Sequence, residues 1–246
     1  MLGERMRGSQ GSKFDYLSRL VESKKFTEKE AVPQIMTIMA AGYETAGSTL
    51  AWTIYCLAAH PGVQKALRQE LHEHMAQESS SEGQNSQYDK LPLLNGVVME
   101  TARLYPAFPF LPRKTIEATT IGGRHVPAGV YIGICPIAIN HARHLWGADA
   151  DTFRPERWID RSDPARPVQN PLGGSVAPVC MMSFGYGARS CVGRPLGLAL
   201  IKRQVAVLVQ RFQLEQASVL DQPSPEGLFA AGPPPGLQVR CTRISA

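Results

Sequence analysis

The segment that most limits what this chain can become is Phe184-Gly185-Tyr186-Gly187-Ala188-Arg189-Ser190-Cys191-Val192-Gly193. Glycines at 185, 187 and 193 let the backbone bend and press against a flat partner where a Cβ would clash. Arg189 offers a cationic fork suited to a carboxylate. Cys191 stands where an apolar-periodic helix begins, and the positive end of a helix favours a thiolate. The bland counterpart is a glycine-rich loop holding an inert, buried cysteine, the commoner outcome for a lone cysteine near glycines. A phosphate-binding loop is excluded because no Gly-Lys-Ser/Thr follows. The complete pattern Phe-x-x-Gly-x-Arg-x-Cys-x-Gly sets this loop apart from both.

The other cysteines do not form a competing site. The five, Cys56, Cys135, Cys180, Cys191 and Cys241, are odd in number, far apart and without a Cys-x-x-Cys pair. A disulfide framework or zinc site is therefore not expected, and a reducing compartment suits them better. The formal net charge of +5 is spread along the chain without a dense basic run. No nucleic-acid partner is expected, while a basic face for an acidic redox protein is compatible with this distribution. Met1–Gln10 is polar and glycine-rich, unlike a signal peptide. From Ile35 to Ala59 the only formal charge is Glu44, and a stretch of that length could span a bilayer. A mid-helix carboxylate costs about 2.5–3.5 kcal/mol on insertion scales. Gly42, Thr45, Gly47, Ser48 and Thr49 dilute the apolar character further. The expectation is a long core helix with a polar notch, and no membrane anchor in this chain.

Punctuation along the sequence predicts the elements. Thr27 with Glu30 forms a capping box after Phe26, and Pro33 either kinks the helix that follows or begins it. That helix ends at His60, and Pro61 opens a second one that runs to about Gln77. Residues 78–90, rich in Ser, Gln, Glu and Gly, are expected as an exposed, mobile loop. A third helix covers about Leu93–Tyr105 and stops at Pro106. Short strands are predicted over Thr115–Ile121, His125–Val126 and Val130–Ile134, with a turn at Gly122-Gly123. Residues 135–183 have no clear period. The last helix starts near Cys191 and ends near Phe212, with Leu198, Ile201, Val205, Leu208 and Phe212 on one face. A turn at Gly232–Gly236 leads to a final strand over Leu237–Cys241.

Three further segments carry chemistry. Glu100-Thr101-Ala102-Arg103 puts an acid and a base on one helix face. Phe153-Arg154-Pro155-Glu156-Arg157-Trp158 follows downstream. Ala41-Gly42-Tyr43-Glu44-Thr45 thins a helix wall and supplies a hydroxyl that can bond back to the chain and open its ladder. Together with the cysteine loop, and in their order along the chain from Ala41 to Gly193, these segments resemble the cytochrome P-450 family. The phrasing from Ala138 to Trp158 is most similar to its filamentous-fungal members.

The resemblance implies a mainly α fold with a small β portion, the C-terminal half of the P-450 fold from its long oxygen-binding helix through the haem-loop helix. It implies heme b with Cys191 as the axial thiolate and metal ligand, Phe184, Gly187, Arg189 and Gly193 in the cofactor loop, and Arg113 at a propionate. A thiolate ligand pushes electron density onto iron and favours O–O cleavage. Glu100, Arg103 and Arg157 would form a structural triad, in which losing one partner leaves a buried charge uncompensated at about 3–5 kcal/mol. Glu44 and Thr45 would be catalytic, the alcohol handling dioxygen and the acid relaying protons so that one oxygen leaves as water. The sequence departs from the family's commonest form at Tyr43, where many members have His, and at Ala46, which replaces a frequent second Thr.

The resemblance runs from about Phe14 to the C-terminus, so residues 1–246 correspond to a partial domain, the second half of a typical member. The anchor, further propionate contacts and the substrate lid are expected to lie outside it. The implied function is a haem-thiolate monooxygenase inserting one oxygen atom from O2 into an apolar small molecule. Electrons would come from an NADPH-dependent reductase, in fungal secondary-metabolite synthesis. A full-length member would work on the cytoplasmic side of the endoplasmic reticulum. Met39, Ala40, Phe108–Leu111 and Leu228–Phe229 are candidate substrate contacts, although apolar residues there suit core packing equally well. The alternative is a truncated P-450 that binds haem weakly or not at all and is inactive. Large exposed apolar faces, and weak or no hydroxylation by this chain alone, are expected whatever the family function.

Overall fold

The computed structural model describes residues 19–20, 22–77, 87–163, 166–218, 223–227 and 230–244. The chain divides into two compact units, Met1–Glu44 and Thr45–Ala246. Helix α1 (Glu28–Ala59) contributes to both. At its start the Thr27 N–H donates to Glu30 Oε2 at 2.9 Å and the Glu30 N–H to Thr27 Oγ1 at 3.4 Å, the reciprocal capping box. The helix begins before Pro33 and runs through it, and Thr37 Oγ1 donates to the Pro33 carbonyl at 2.8 Å. In the first unit Val32, Met36, Met39 and Tyr43 recur at helical spacing, and all are exposed.

In the second unit the prolines act as the sequence predicts. Helix α2 (Pro61–Gln77) opens on Pro61, and α3 (Pro92–Leu104) ends ahead of Pro106. Residues 78–86 of the expected loop lie outside the described residues. Gln87–Lys90, its last part, is instead a 3-10 turn. The Asp89 carbonyl accepts from Asn95 Nδ2 at 3.1 Å and from Gln169 Nε2 at 2.7 Å, and the Asp89 carboxylate pairs with Lys202.

The β-rich patch is organised differently from the expectation. Strand β1 (Leu111–Lys114) pairs antiparallel with β4 (Tyr131–Ile134), whereas β2 (Thr119–Ile121) pairs with β3 (Arg124–Val126). The strand expected over Thr115–Ile121 is shortened to Thr119–Ile121, and the Thr115 side chain and backbone bond Pro127 and Val130 instead. The region 135–183 contains α4 (Pro136–Asn140), α5 (Arg143–Trp146) and a two-residue ladder, β5 (Ile159–Asp160) with β6 (Val168–Gln169). Helix α6 (Arg194–Arg211) begins just beyond Cys191, near where it is expected. It ends one residue before β7 (Phe212–Gln216), which pairs with β8 (Val239–Arg243).

The main core forms where α2, α3 and α6 meet, around Leu67, Leu71, Leu94, Val97, Ile201 and Val209, all buried. Burying a side chain of this size contributes roughly 1.5–3 kcal/mol. Polar groups in this core are satisfied. Gln64 bonds both the N–H and the carbonyl of Leu214, at 3.0 and 2.9 Å, and Arg68 holds the carbonyls of Val209 and Phe212 at 2.9 and 3.1 Å. No helix among the described residues is long and apolar enough to cross a membrane.

Helix α3 lacks a side-chain cap of its own, since Leu91 precedes it. Glu70 of α2 supplies one across the core, accepting the Leu93 and Leu94 N–H groups at 2.8 and 2.9 Å. Burial raises the Glu70 carboxyl above the usual carboxylate range, against the lowering effect of these two bonds. Glu70→Ala should lower stability by about 1 kcal/mol, the usual loss for a helix cap. Hydrogen exchange at Leu93 and Leu94 should accelerate, while amides at the C-terminal end of α3 keep their protection.

Candidate functional site

The acid–base pair expected on α3 is completely buried. Arg103 grips Glu100 with Nε and Nη2, both at 2.9 Å, the bidentate geometry that makes such pairs strong. Arg157 adds Nε at 2.8 Å, so the structure brings Glu100, Arg103 and Arg157 together. The Arg154 N–H and Trp158 Nε1 also donate to the carboxylate, at 3.0 and 2.9 Å. The remaining Arg103 donors reach the carbonyls of Asn140, Ala150 and Thr152. A carboxylate with this many partners tolerates burial because its charge is met by two guanidiniums and its oxygens by further donors. Close approach makes it possible: a Cβ at Gly96 would come within 2.5 Å of the Pro155 carbonyl oxygen.

A second node joins this cluster to the cysteine loop. Asn140, at the end of α4 and fully buried, donates to the Arg103 carbonyl and to Ser183 Oγ, both at 2.8 Å, and accepts the Met182 N–H at 3.1 Å. Ser183 Oγ in turn donates to the Ala102 carbonyl at 2.6 Å. A buried cluster of Trp146, Trp158, Cys180 and Met181, with Phe184 packed against it, underlies this segment.

Beyond Ser183 the chain makes the turns that its glycines permit. Gly185 and Gly187 adopt φ of +67° and +73°, a conformation costly for other residues. Gly193 does not, having φ −82° at the cap of α6. The Cys191 N–H donates to the Phe184 carbonyl at 2.7 Å and closes the loop. Cys191 itself is exposed, as are Val192 and Leu196. Phe184 lies under the Arg194 guanidinium, 5.1 Å from the ring centre.

Arg113 on β1 and Arg189 in the loop share one cavity of about 320 Å³. Its other walls are Leu111, Ile134, Val179 and Met182, with Gly185, Tyr186 and Ala188 from the loop. Two guanidiniums at an apolar cleft beside an exposed cysteine loop form a donor set that fits a flat, dicarboxylate-bearing cofactor with a thiolate-bound metal. Phe184, Gly187, Cys191 and Gly193 are not among the cavity's walls; they lie in the loop that borders it.

Glu44 ends the first unit and Thr45 opens the second. Helix α1 is continuous through Ala41–Thr45. Thr49 Oγ1 bonds back to the Thr45 carbonyl at 3.0 Å. Among the candidate substrate contacts, Met39, Phe108 and Phe110 are exposed, and the Phe110 ring lies where a Cβ on Gly133 would meet it at 2.3 Å. Leu228–Phe229 lies outside the described residues. The residues that the sequence did not single out are Asn140, Ser183 and Arg194. Each joins elements far apart in the chain or stacks across the loop, and no local pattern marks such a role.

A cysteine loop is thus fastened to a buried Glu-Arg-Arg cluster through a mainly helical frame. The sequence matches the Cytochrome P-450 family over residues 4–239, and the chain belongs to that family. It is similar to the cytochrome P-450 monooxygenase ptmK of Penicillium ochrochloron, 34% identical across 91% of this chain and 43% of that protein. It also resembles sphH of Aspergillus fumigatus, 33% identical across 83% of this chain and 37% of that protein. With abl5 of Leptosphaeria maculans it shares 31% identity across 99% of this chain and 46% of that protein. The chain thus spans less than half the length of these relatives.

Glu100→Ala should leave the buried Arg103 guanidinium uncompensated and Arg157 with Asp149 alone, and cost about 3–5 kcal/mol. The expected outcome is loss of the cooperative urea transition, followed by circular dichroism. Arg157→Lys, which keeps the charge but not the fork, should shift the midpoint by less.

Proposed function

We propose that this chain is the haem-carrying part of a haem-thiolate monooxygenase, inserting one oxygen atom from O2 into an apolar small molecule. The carrying observation is the meeting of Arg113 and Arg189 on one cavity walled by the loop that bears Cys191. When bound, heme b would supply the dioxygen-activating chemistry, and a thiolate ligand would favour O–O cleavage. The Cys191 thiolate would hold the metal. Arg113 and Arg189 would take the two carboxylates of the cofactor by charge-assisted hydrogen bonds. Leu111, Ile134 and Val179 would give the cavity apolar walls. Phe184, Gly187 and Gly193 would shape the loop. Glu44 holds and passes a proton, and the Thr45 hydroxyl orients its transfer. Glu100, Arg103 and Arg157 act structurally.

The relatives named above are fungal cytochrome P-450 monooxygenases, which supports an oxygenase; the family resemblance, by analogy alone, adds secondary metabolism, an NADPH-dependent reductase as electron donor and association with the endoplasmic reticulum. A second reading, haem binding without turnover by this chain alone, is favoured by its exposed apolar residues. Val192 is 97% exposed and Leu196 61%.

The test is the carbon-monoxide difference spectrum of the reduced, haem-reconstituted chain. A thiolate-type band is expected, and it should vanish in Cys191→Ala; an unchanged band in that variant would refute the ligand assignment. Arg113→Ala and Arg189→Ala should each weaken haem uptake about tenfold, or ~1.4 kcal/mol. Product formation with added reductase then separates the two readings.

A further inference from the structure

We propose that Asn140 is a positioning residue for the cysteine loop, setting through Met182 and Ser183 where Cys191 presents its sulfur. The inference rests on the haem-thiolate reading above. A primary amide has two donor hydrogens and one acceptor oxygen. Asn140 uses all of these: both hydrogens go to Arg103 O and Ser183 Oγ, and the oxygen takes the Met182 N–H. Its own carbonyl receives Arg103 Nη1 at 2.6 Å. The backbone and side chain of one residue therefore read both ends of Arg103, the guanidinium and the peptide carbonyl.

The consequence lies at the C-terminal turn of α3. Carbonyls there have no partner within the helix. Those of Ala102 and Arg103 are taken by Ser183 Oγ and Asn140 Nδ2, so the entry to the loop is clipped onto the helix that carries Glu100. One residue further on, Phe184 O receives the Cys191 N–H. The route from the buried carboxylate to the cysteine is thus Glu100, Arg103, Asn140, Ser183, Phe184 and Cys191, with a hydrogen bond or peptide link at every step. Asn140 is matched to this place in length and polarity. Aspartate would set a negative charge against the Arg103 carbonyl, and alanine would leave that carbonyl and the Met182 N–H without partners. Asn140 is not among the residues bordering the cavity, so its effect on the metal ligand is indirect. Outer partners of this kind orient the ligands that touch the metal.

The experiment uses the full haem-loaded chain, matched for haem content, and measures the ratio of thiolate-type to thiol-type band in the reduced carbon-monoxide complex. Ser183→Ala and Asn140→Ala should each lower that ratio at least about tenfold, the low end for outer-shell partners of metal ligands. Glu70→Ala, which loosens the opposite end of α3, should lower the melting temperature and leave the ratio at its wild-type value. Should Asn140→Ala fail to fold, Ser183→Ala decides alone, because that half-buried hydroxyl is the milder loss. A wild-type ratio in Ser183→Ala, or an equal fall in Glu70→Ala, overturns the proposal. Absence of the thiolate band from the unaltered chain overturns the haem reading itself, a result distinct from either.

Discussion

The second unit is organised around the buried carboxylate of Glu100. One side chain collects two guanidiniums, an indole N–H and a backbone N–H, from α3 and from the Arg154–Trp158 segment. Such a group cannot be left half-satisfied in a dry interior, so every donor around it must arrive in place together. That requirement draws Pro155 onto Gly96 and holds the 149–158 segment, which has little regular structure, against a helix. The flanking charges are fixed as well: Asp149 pairs with Arg154 and Arg157 at 2.7 and 3.2 Å.

The cysteine loop borrows its order from this cluster. It has few interior contacts of its own, and its exposed residues include Tyr186, Val192 and Cys191. What holds it is backbone geometry at Gly185 and Gly187, the bond from the Cys191 N–H to Phe184, and the Asn140–Ser183 attachment upstream. A reactive group that must remain accessible gains precision when the shell behind it is rigid. The opposite side of α3 is fastened by Glu70 and by Lys202, whose ammonium meets Asp89 and Asn95. Helix α6, which follows the loop, is thereby tied to the same α3 that carries Glu100.

Much of this was legible from local signals. Pro61 and Pro106 mark helix ends, Thr27 and Glu30 mark a start, and the complete cysteine pattern marks the loop. The long helices carried enough periodicity to be placed within a residue or two. Failures occurred where tertiary contacts decide. Leu111–Lys114 contains Pro112 and lacks alternation, yet it forms a strand because β4 lies beside it. Phe212 looked like the last apolar step of a helix, but its backbone pairs with Arg243. Gly193 and Pro195 were the signs that α6 begins beyond Cys191. Asn140 and Ser183 had no sign at all, since a buried amide and a surface amide are spelled alike. The candidate roles of Glu44 and Thr45 came from family resemblance, not from any packing pattern.

In the proposed function, Cys191 ligates the iron of a bound haem. Iron-edge X-ray absorption on the haem-loaded chain tests it most directly, because scattering distinguishes sulfur from nitrogen and oxygen in the first coordination sphere. One sulfur neighbour at bonding distance is expected in the unaltered chain and none in Cys191→Ser. A coordination sphere of nitrogen and oxygen alone in the unaltered chain, or a sulfur neighbour that persists in the variant, would contradict it.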